Sequence, residues 1–441
     1  MLILFTFWEV KTTMNKITLK DLDQDIYFEQ LDNGLRIYLV PFENKNNYYI
    51  NYYVNYGAEN IDFVPIGKKE MESSPLGIAH FIEHQVFEVD DGPSPFEFYG
   101  KSGTSCNAST NYESTQYEVE GTENLLENLD FLINYVNTPC FTDESVEKEK
   151  GIIIEEIRMY DDYPEWILMG AMNQATFKVH PMKYDLAGTK TTVSNTKTED
   201  LYKCYNTFYN PSNMALFVGG NFNVDEVLEV IKNNEILKTK KKVSSIKKKD
   251  YKEPEQVVKT ELTKEAPQLM IPRIGYILKS KVGKLKGIDK FKNDVCLFII
   301  LQKAFGAVSQ FFEDMMKKKY LLNLSFYNFQ LDEYSIINII SETEKPKELI
   351  KELDQQFKNV EVTNEDLERY KKVFIASCVR TTDNVSSTIN TLTNDLIDYD
   401  DIITNKIEIV RNITLDDINS VKSKLNLDNK AVVTILPKSN N

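Results

Sequence analysis

TDESVEKEKGIIIEEIRMYDD, residues Thr142–Asp162, lies without a gap on TNEDLERYKKVFIASCVRTTD, residues Thr363–Asp383. The superposition pairs Thr142 with Thr363, Glu144 with Glu365, Glu147 with Glu368, and Lys150 with Lys371. It also pairs Ile154 with Ile375 and Asp162 with Asp383. A long helix that recurs in each half of a chain is the mark of one supersecondary unit used twice. The surroundings of each copy agree. Before the first copy, LRIYLVPF, YYINYYVNYG, TSCNAST and TQYEVEG read as strands, and GIAHFIEHQVF and NLLENLDFLINYV as helices. After it come a helix at EDLYKCYNTFY, a strand at MALFVGG and a helix at VDEVLEVIKNN. The second half has strand runs at IPRIGYIL and SFYNFQLDEYSIINIIS before its copy, helices at ELIKELDQQFKNV and DDINSVKSKL, and a closing strand at AVVTILP. Between the halves, KTKKKVSSIKKKDYK (238–252) is dense in lysine and poor in large apolar groups, which reads as a solvated connector. The fold class expected is α+β: two similar units, each an antiparallel-rich sheet packed on helices. The boundaries expected are 14–237, a basic linker over 238–259, and 260–441.

The chain of 441 residues has a net charge of −15, which argues against a nucleic-acid binder. Its five cysteines are scattered, with no CxxC pair, so no disulfide framework is expected and a reducing, cytoplasmic setting is. The opening MLILFTFWEV is apolar but short and reaches Glu9 early, which fits neither a membrane span nor a secretory signal. Met14 opens a polar stretch that reads as an ordinary start, so residues 1–13 are expected to be an unstructured extension. No other segment reads as a membrane span.

Only three histidines occur, and two of them, His80 and His84, stand four apart in H-F-I-E-H. On a helix this spacing puts both imidazoles on one face, able to share a tetrahedral zinc, with Glu83 beside that face. Ile78, Ile82 and Val86 form an apolar stripe on the other side. HxxEH inverts the commoner HExxH order of zinc peptidases. A catalytic zinc takes a third protein ligand from another element. Glu149 and Glu156, seven apart in the first copy of the repeat, share a helix face beside the apolar GIII run, where buried acids call for a cation. Glu156 is the expected ligand, and Glu149 the acid that orients a ligand or the substrate. Their counterparts in the second half are Tyr370 and Ser377, and that half has no histidine. His180, in VHPMKY, reads as an ordinary loop residue.

These residues resemble the pitrilysin/insulinase family, the inverzincins, in which HxxEH is followed some seventy residues later by a glutamate with a second glutamate seven before it. Here Glu156 follows His84 by 72 residues. The resemblance also covers GTSCNAST (103–110), ESTQY, AGT (187–189) and YNPSNMAL (209–216). It implies hydrolysis of peptide bonds with Zn2+ as cofactor and Glu83 as general base. It also implies a peptide substrate added to the edge strand that carries Asn107 and Ala108. One departure is clear. Family members usually carry an Arg and a Tyr seven apart in the second half, and the matching register here puts Met316 and Asn323 there, with Tyr320 out of step. The resemblance therefore extends to bacterial subunits that divide the zinc-bearing and Arg/Tyr-bearing halves between two chains, some of which process small ribosomally made peptides. A heterodimer with a related subunit is the expected assembly. The rival reading is a non-catalytic scaffold or peptide-binding subunit of the same fold.

Overall fold

The computed structural model describes residues 14–438 apart from 91 and 244, so the expectation for residues 1–13 lies outside the described residues. Fourteen strands are described. The first half supplies β1 (Asn15–Leu19), β2 (Gln24–Gln30), β3 (Arg36–Pro41), β4 (Tyr48–Val54), β5 (Asp62–Phe63), β6 (Glu72–Ser73), β7 (Ser105–Thr110), β8 (Thr115–Gly121) and β9 (Met214–Gly220). The second supplies β10 (Glu261–Ala266), β11 (Arg273–Lys281), β12 (Asn323–Leu331), β13 (Tyr334–Glu342) and β14 (Lys430–Pro437). One sheet runs β1-β2-β3-β9-β4-β8-β7, the other β10-β14-β11-β13-β12, and β5 and β6 form a short separate pair. The last five strands of the first sheet correspond one for one to the second. In each the first pair is parallel (β3 with β9, β10 with β14) and every later pair antiparallel.

The repeated helices match as well. They span Asp143–Asp161 and Asn364–Thr382, 19 residues each. Both start in a capping box: Thr142 and Thr363 accept from the backbone N–H three residues on, whose side chains accept in return. Such a reciprocal pair satisfies two of the donors a helix start leaves open, which fixes where each helix begins.

The helix after each repeated one takes a place that the sequence does not predict. The helix Pro164–Thr176 comes directly after the first copy, yet it packs Leu168, Ala171, Met172 and Ala175 on the second sheet, against Ile277, Ile336, Ala431 and Val433. The helix Val385–Tyr399 comes after the second copy and packs Val385, Ile389, Leu392 and Leu396 on the first sheet, against Tyr38, Val40, Tyr49, Tyr53 and Phe217. Each crosses its sheet over a glycine. A side chain at Gly275 would collide with Met172, and one at Gly219 with Ile389. The two halves thus exchange a helix, and a boundary drawn along the chain at 238–259 divides the sheets but not the cores.

Two further expectations need correcting. The lysine-rich segment is not a free connector, because Val64 N–H donates to Lys247 O at 2.9 Å and Lys249 N–H to Asp62 O at 3.0 Å, tying it to the edge of β5. Beyond it, Glu253 accepts from the backbone N–H groups of Lys178, Val179 and His180, each at 2.8 Å, and lies 3.2 Å from the Lys279 ammonium, which is fully buried. A charged pair fits there because three peptide donors and two carbonyls satisfy what the ions leave open. The second correction concerns Gly287–Lys317, which is long and apolar enough by composition to cross a membrane. It is two helices that part at Gly306, and Val295, Leu297, Ile299, Ile300 and Phe305 of the first are core residues of the second half.

Candidate metal centre

The histidine helix, Ile78–Val86, is more deeply set than an amphipathic surface helix. Ile78, Ile82 and Val86 are at most 4% exposed, and Ala79 and Phe81 on other faces are buried too. Its start is fixed by Gly77, in the left-handed region at φ 85°, where any side chain would strike the backbone of Ala187. That contact is why the AGT stretch, far away in sequence, lies against the metal helix.

His80 and His84 point their Nε2 atoms at each other, 3.3 Å apart, and Glu156 Oε2 is 3.7 Å from both. Among the described residues this is the one group of three such side chains whose ligand atoms converge. Ligand atoms held ~2.0–2.1 Å from a tetrahedral zinc lie about 3.3–3.4 Å from one another, so the triangle fits that ion with small adjustments of the carboxylate. Glu149 comes from the same helix as Glu156, two turns earlier, and its Oε1 takes the hydrogen bond of His84 Nδ1 at 2.8 Å. This contact directs the Nε2 lone pair of His84 into the triangle. His80 Nδ1 is buried without a hydrogen-bond partner, so one imidazole of the two is held from behind. Glu155 points outward and pairs with Arg158.

Glu83 is 9% exposed, and its Oε2 accepts a hydrogen bond from the Thr110 hydroxyl at 2.5 Å. Thr110 is the last residue of β7. Ala108 is half-buried beside the core, and Asn107 is exposed on the opposite face. As the last strand of its sheet, β7 pairs only with β8 and leaves one main-chain edge unpaired among the described residues.

The electrostatics describe a site with a surplus of acid. Burial, reinforced by the neighbouring His84, pulls the His80 imidazole down to about 3. Burial also lowers His84, but the hydrogen bond to Glu149 and the charges of Glu83, Glu149 and Glu156 outweigh it and leave His84 raised. Burial raises both Glu83 and Glu156, with Thr110 opposing the rise at Glu83 and His84 opposing it at both. Three carboxylates against two imidazoles in a mostly buried place is an arrangement that a divalent cation neutralises.

Family models match over most of the described chain: Insulinase (Peptidase family M16) over residues 63–190, and Peptidase M16 inactive domain over 196–374. The uncharacterized zinc protease YmfH of Bacillus subtilis is 32% identical over 431 residues, 96% of this chain and 99% of that protein. The chain belongs to the M16 peptidase family. An M16-like peptidase from Alicyclobacillus acidocaldarius has the same fold, with a TM-score of 0.89 and 26% identity over 95% of this chain and 100% of that one. The periplasmic protease PqqL of Escherichia coli superposes with a TM-score of 0.75 at 17% identity, covering 96% of this chain but 48% of that one. The M16 "inactive" match falls on the half that has Tyr370 and Ser377 in place of the acids. Tyr370 OH donates to Gln302 O, and Ser377 Oγ bonds its own helix at Phe374 O.

In the stretch where the family resemblance places an Arg and a Tyr, Met316 is exposed on a short helix. Asn323 opens β12, where its Oδ1 accepts from Glu342 N–H. Tyr320 packs on the second core. His180 is not a free loop residue: it is 6% exposed, and its Nδ1 accepts from Met182 N–H. Thr110 was missed in the sequence, although its place two residues after Ala108 puts both on one face of a strand.

Proposed function

We propose that this chain is a zinc-dependent peptidase subunit. It would hydrolyse peptide bonds in short or unfolded peptides together with a related partner, as in the maturation of small peptides. The reading is carried by one observation, the convergence of His80, His84 and Glu156 beside a buried Glu83. His80 Nε2, His84 Nε2 and Glu156 Oε2 would hold the zinc. The ion supplies a Lewis acid for the scissile carbonyl and an acidified water. Glu83, ionised, takes the proton of the attacking water and delivers it to the amine nitrogen as the C–N bond breaks. The Thr110 hydroxyl keeps Glu83 in place and favours its charged form. A substrate laid antiparallel along β7 would draw on the main chain around Asn107 and Ala108, with side chains alternating between the Ala108 and Asn107 faces.

The partner enters because Met316 and Asn323 stand where the family resemblance calls for Arg and Tyr. Five free cysteines support a reducing, cytoplasmic setting. The test is Glu83→Gln. Zinc content measured by atomic absorption should stay near one per chain while peptide hydrolysis falls by about 10²–10⁴-fold. A loss below tenfold would remove Glu83 from the mechanism, and loss of zinc would make it a ligand. The scaffold reading predicts no chelator-sensitive cleavage of a peptide library at all, with or without the partner.

A further inference from the structure

Lysines far apart in sequence meet on one surface of the first unit. The loop that leaves β5 carries Lys68 and Lys69, and the segment after β9 and its helices brings Lys247 to them, with Lys241 and Lys242 further back along that segment. The hydrogen bond of Val64 N–H to Lys247 O joins the two stretches, and residues 64–69, 243 and 245–247 line a common cleft of about 330 Å3. The loop is anchored from below, where Ile66 N–H donates to Thr207 Oγ1 at 3.1 Å. All five lysines are exposed, and none makes an ion pair with a carboxylate among the described residues. In a chain of net charge −15, this is a locally positive patch; of the acids on the same loop, Glu70 is exposed and Glu72 lies 3.7 Å from Lys203. Two apolar side chains stand out of the same loop: Ile66 is 50% exposed and Met71 46%.

We propose that this patch docks the chain on an anionic lipid surface. Unpaired lysines set around protruding apolar side chains suit a bilayer interface, where the ammonium groups meet lipid phosphates and carboxylates and the apolar tips enter the headgroup layer. A soluble polyanion would use the lysines and gain nothing from Ile66 and Met71. The site is separate from the metal centre and does not depend on the peptidase reading.

The experiment is flotation of the full chain with vesicles of equal parts phosphatidylserine and phosphatidylcholine, and with phosphatidylcholine alone. Binding is expected to the mixed vesicles at low salt, with loss of most of it at 0.5 M salt and little binding to phosphatidylcholine, since screening acts on exposed charges. Each lysine near such a surface contributes about fivefold, so Lys68→Gln/Lys69→Gln should weaken binding roughly 25-fold. Ile66→Ser should weaken it severalfold with every charge intact. Circular dichroism melts of the variants verify that they fold. The assignment is overturned if the chain does not float with anionic vesicles, binds phosphatidylcholine equally, or is unaffected by the lysine changes. Retention on heparin without flotation would move the patch to a soluble acidic partner and overturn it too.

Discussion

Glu149 offers the sharpest test of how the centre is built. It lies outside the converging triangle, yet it is 7% exposed and holds His84 Nδ1 at 2.8 Å. Replacing it with Gln keeps the shape and can keep a hydrogen bond, but removes the charge that makes the imidazole a stronger donor to a metal. Partners of metal-bound histidines typically contribute 10- to 100-fold in affinity, about 1.4–2.8 kcal/mol. Since His80 has no such partner, the whole effect falls on one of three ligands. The expected loss in Glu149→Gln is therefore about 30-fold, the middle of that range. Zinc affinity is measured by competition with a fluorescent chelator, alongside Glu156→Gln. Glu156→Gln should lose the metal nearly completely, while Glu149→Gln should refill at high zinc and recover most of its turnover. Equal losses in the two variants would make Glu149 a ligand, and unchanged affinity in Glu149→Gln would refute the orienting role.

Three other outcomes are expected. Thr110→Val removes the hydroxyl that stabilises ionised Glu83; the acid limb of the kcat/KM profile should move to higher pH, and kcat/KM at neutral pH should fall about tenfold. Glu253→Ala leaves the fully buried Lys279 and three backbone donors unpaired, and urea unfolding should show a loss of about 3–5 kcal/mol. Asp294 is raised from 3.8 to about 6, chiefly by burial, so the folded state disfavours its charge. Well below pH 3.8 the carboxyl is neutral in both states. As the pH rises from 4 to 6 the unfolded chain releases the proton first, so the parent should lose stability relative to Asp294→Asn, by up to roughly 3 kcal/mol above pH 6 in thermal melts.

The candidate cluster was legible in part from helical spacing: His80 and His84 four apart, and Glu149 and Glu156 seven apart, need only a helix to share a face, while the meeting of the two helices is a tertiary fact that spacing does not carry. The repeat was legible because Thr142–Asp162 and Thr363–Asp383 keep their register without a gap. The exchanged helices were not legible, because PEWILMGAMNQAT reports an apolar face and is silent about which sheet covers it. The lysine-rich segment misled for a related reason. Its side chains read as solvated, yet Lys248 donates to Asn55 and Asn60, Lys249 and Tyr251 reach Asp62, and the main chain and Glu253 add to the anchoring; composition carries no information about such partners. The core helix in Gly287–Lys317 is ambiguous in the sequence because an apolar run such as VCLFIIL (295–301) has the same composition whether a core or a bilayer covers it.

The helix exchange has a consequence for how the protein is made. The outer face of the first sheet, with Tyr38, Tyr49, Tyr53 and Phe217, waits for Ile389 and Leu392 to cover it. A ribosome working at about 5–20 residues per second needs roughly 20–70 s to go from β4 to that helix. Throughout that interval the nascent chain carries an uncovered aromatic wall. A fragment ending in the lysine-rich segment would keep that wall for life, so a gene split there should yield an aggregating first product rather than a working zinc-binding half.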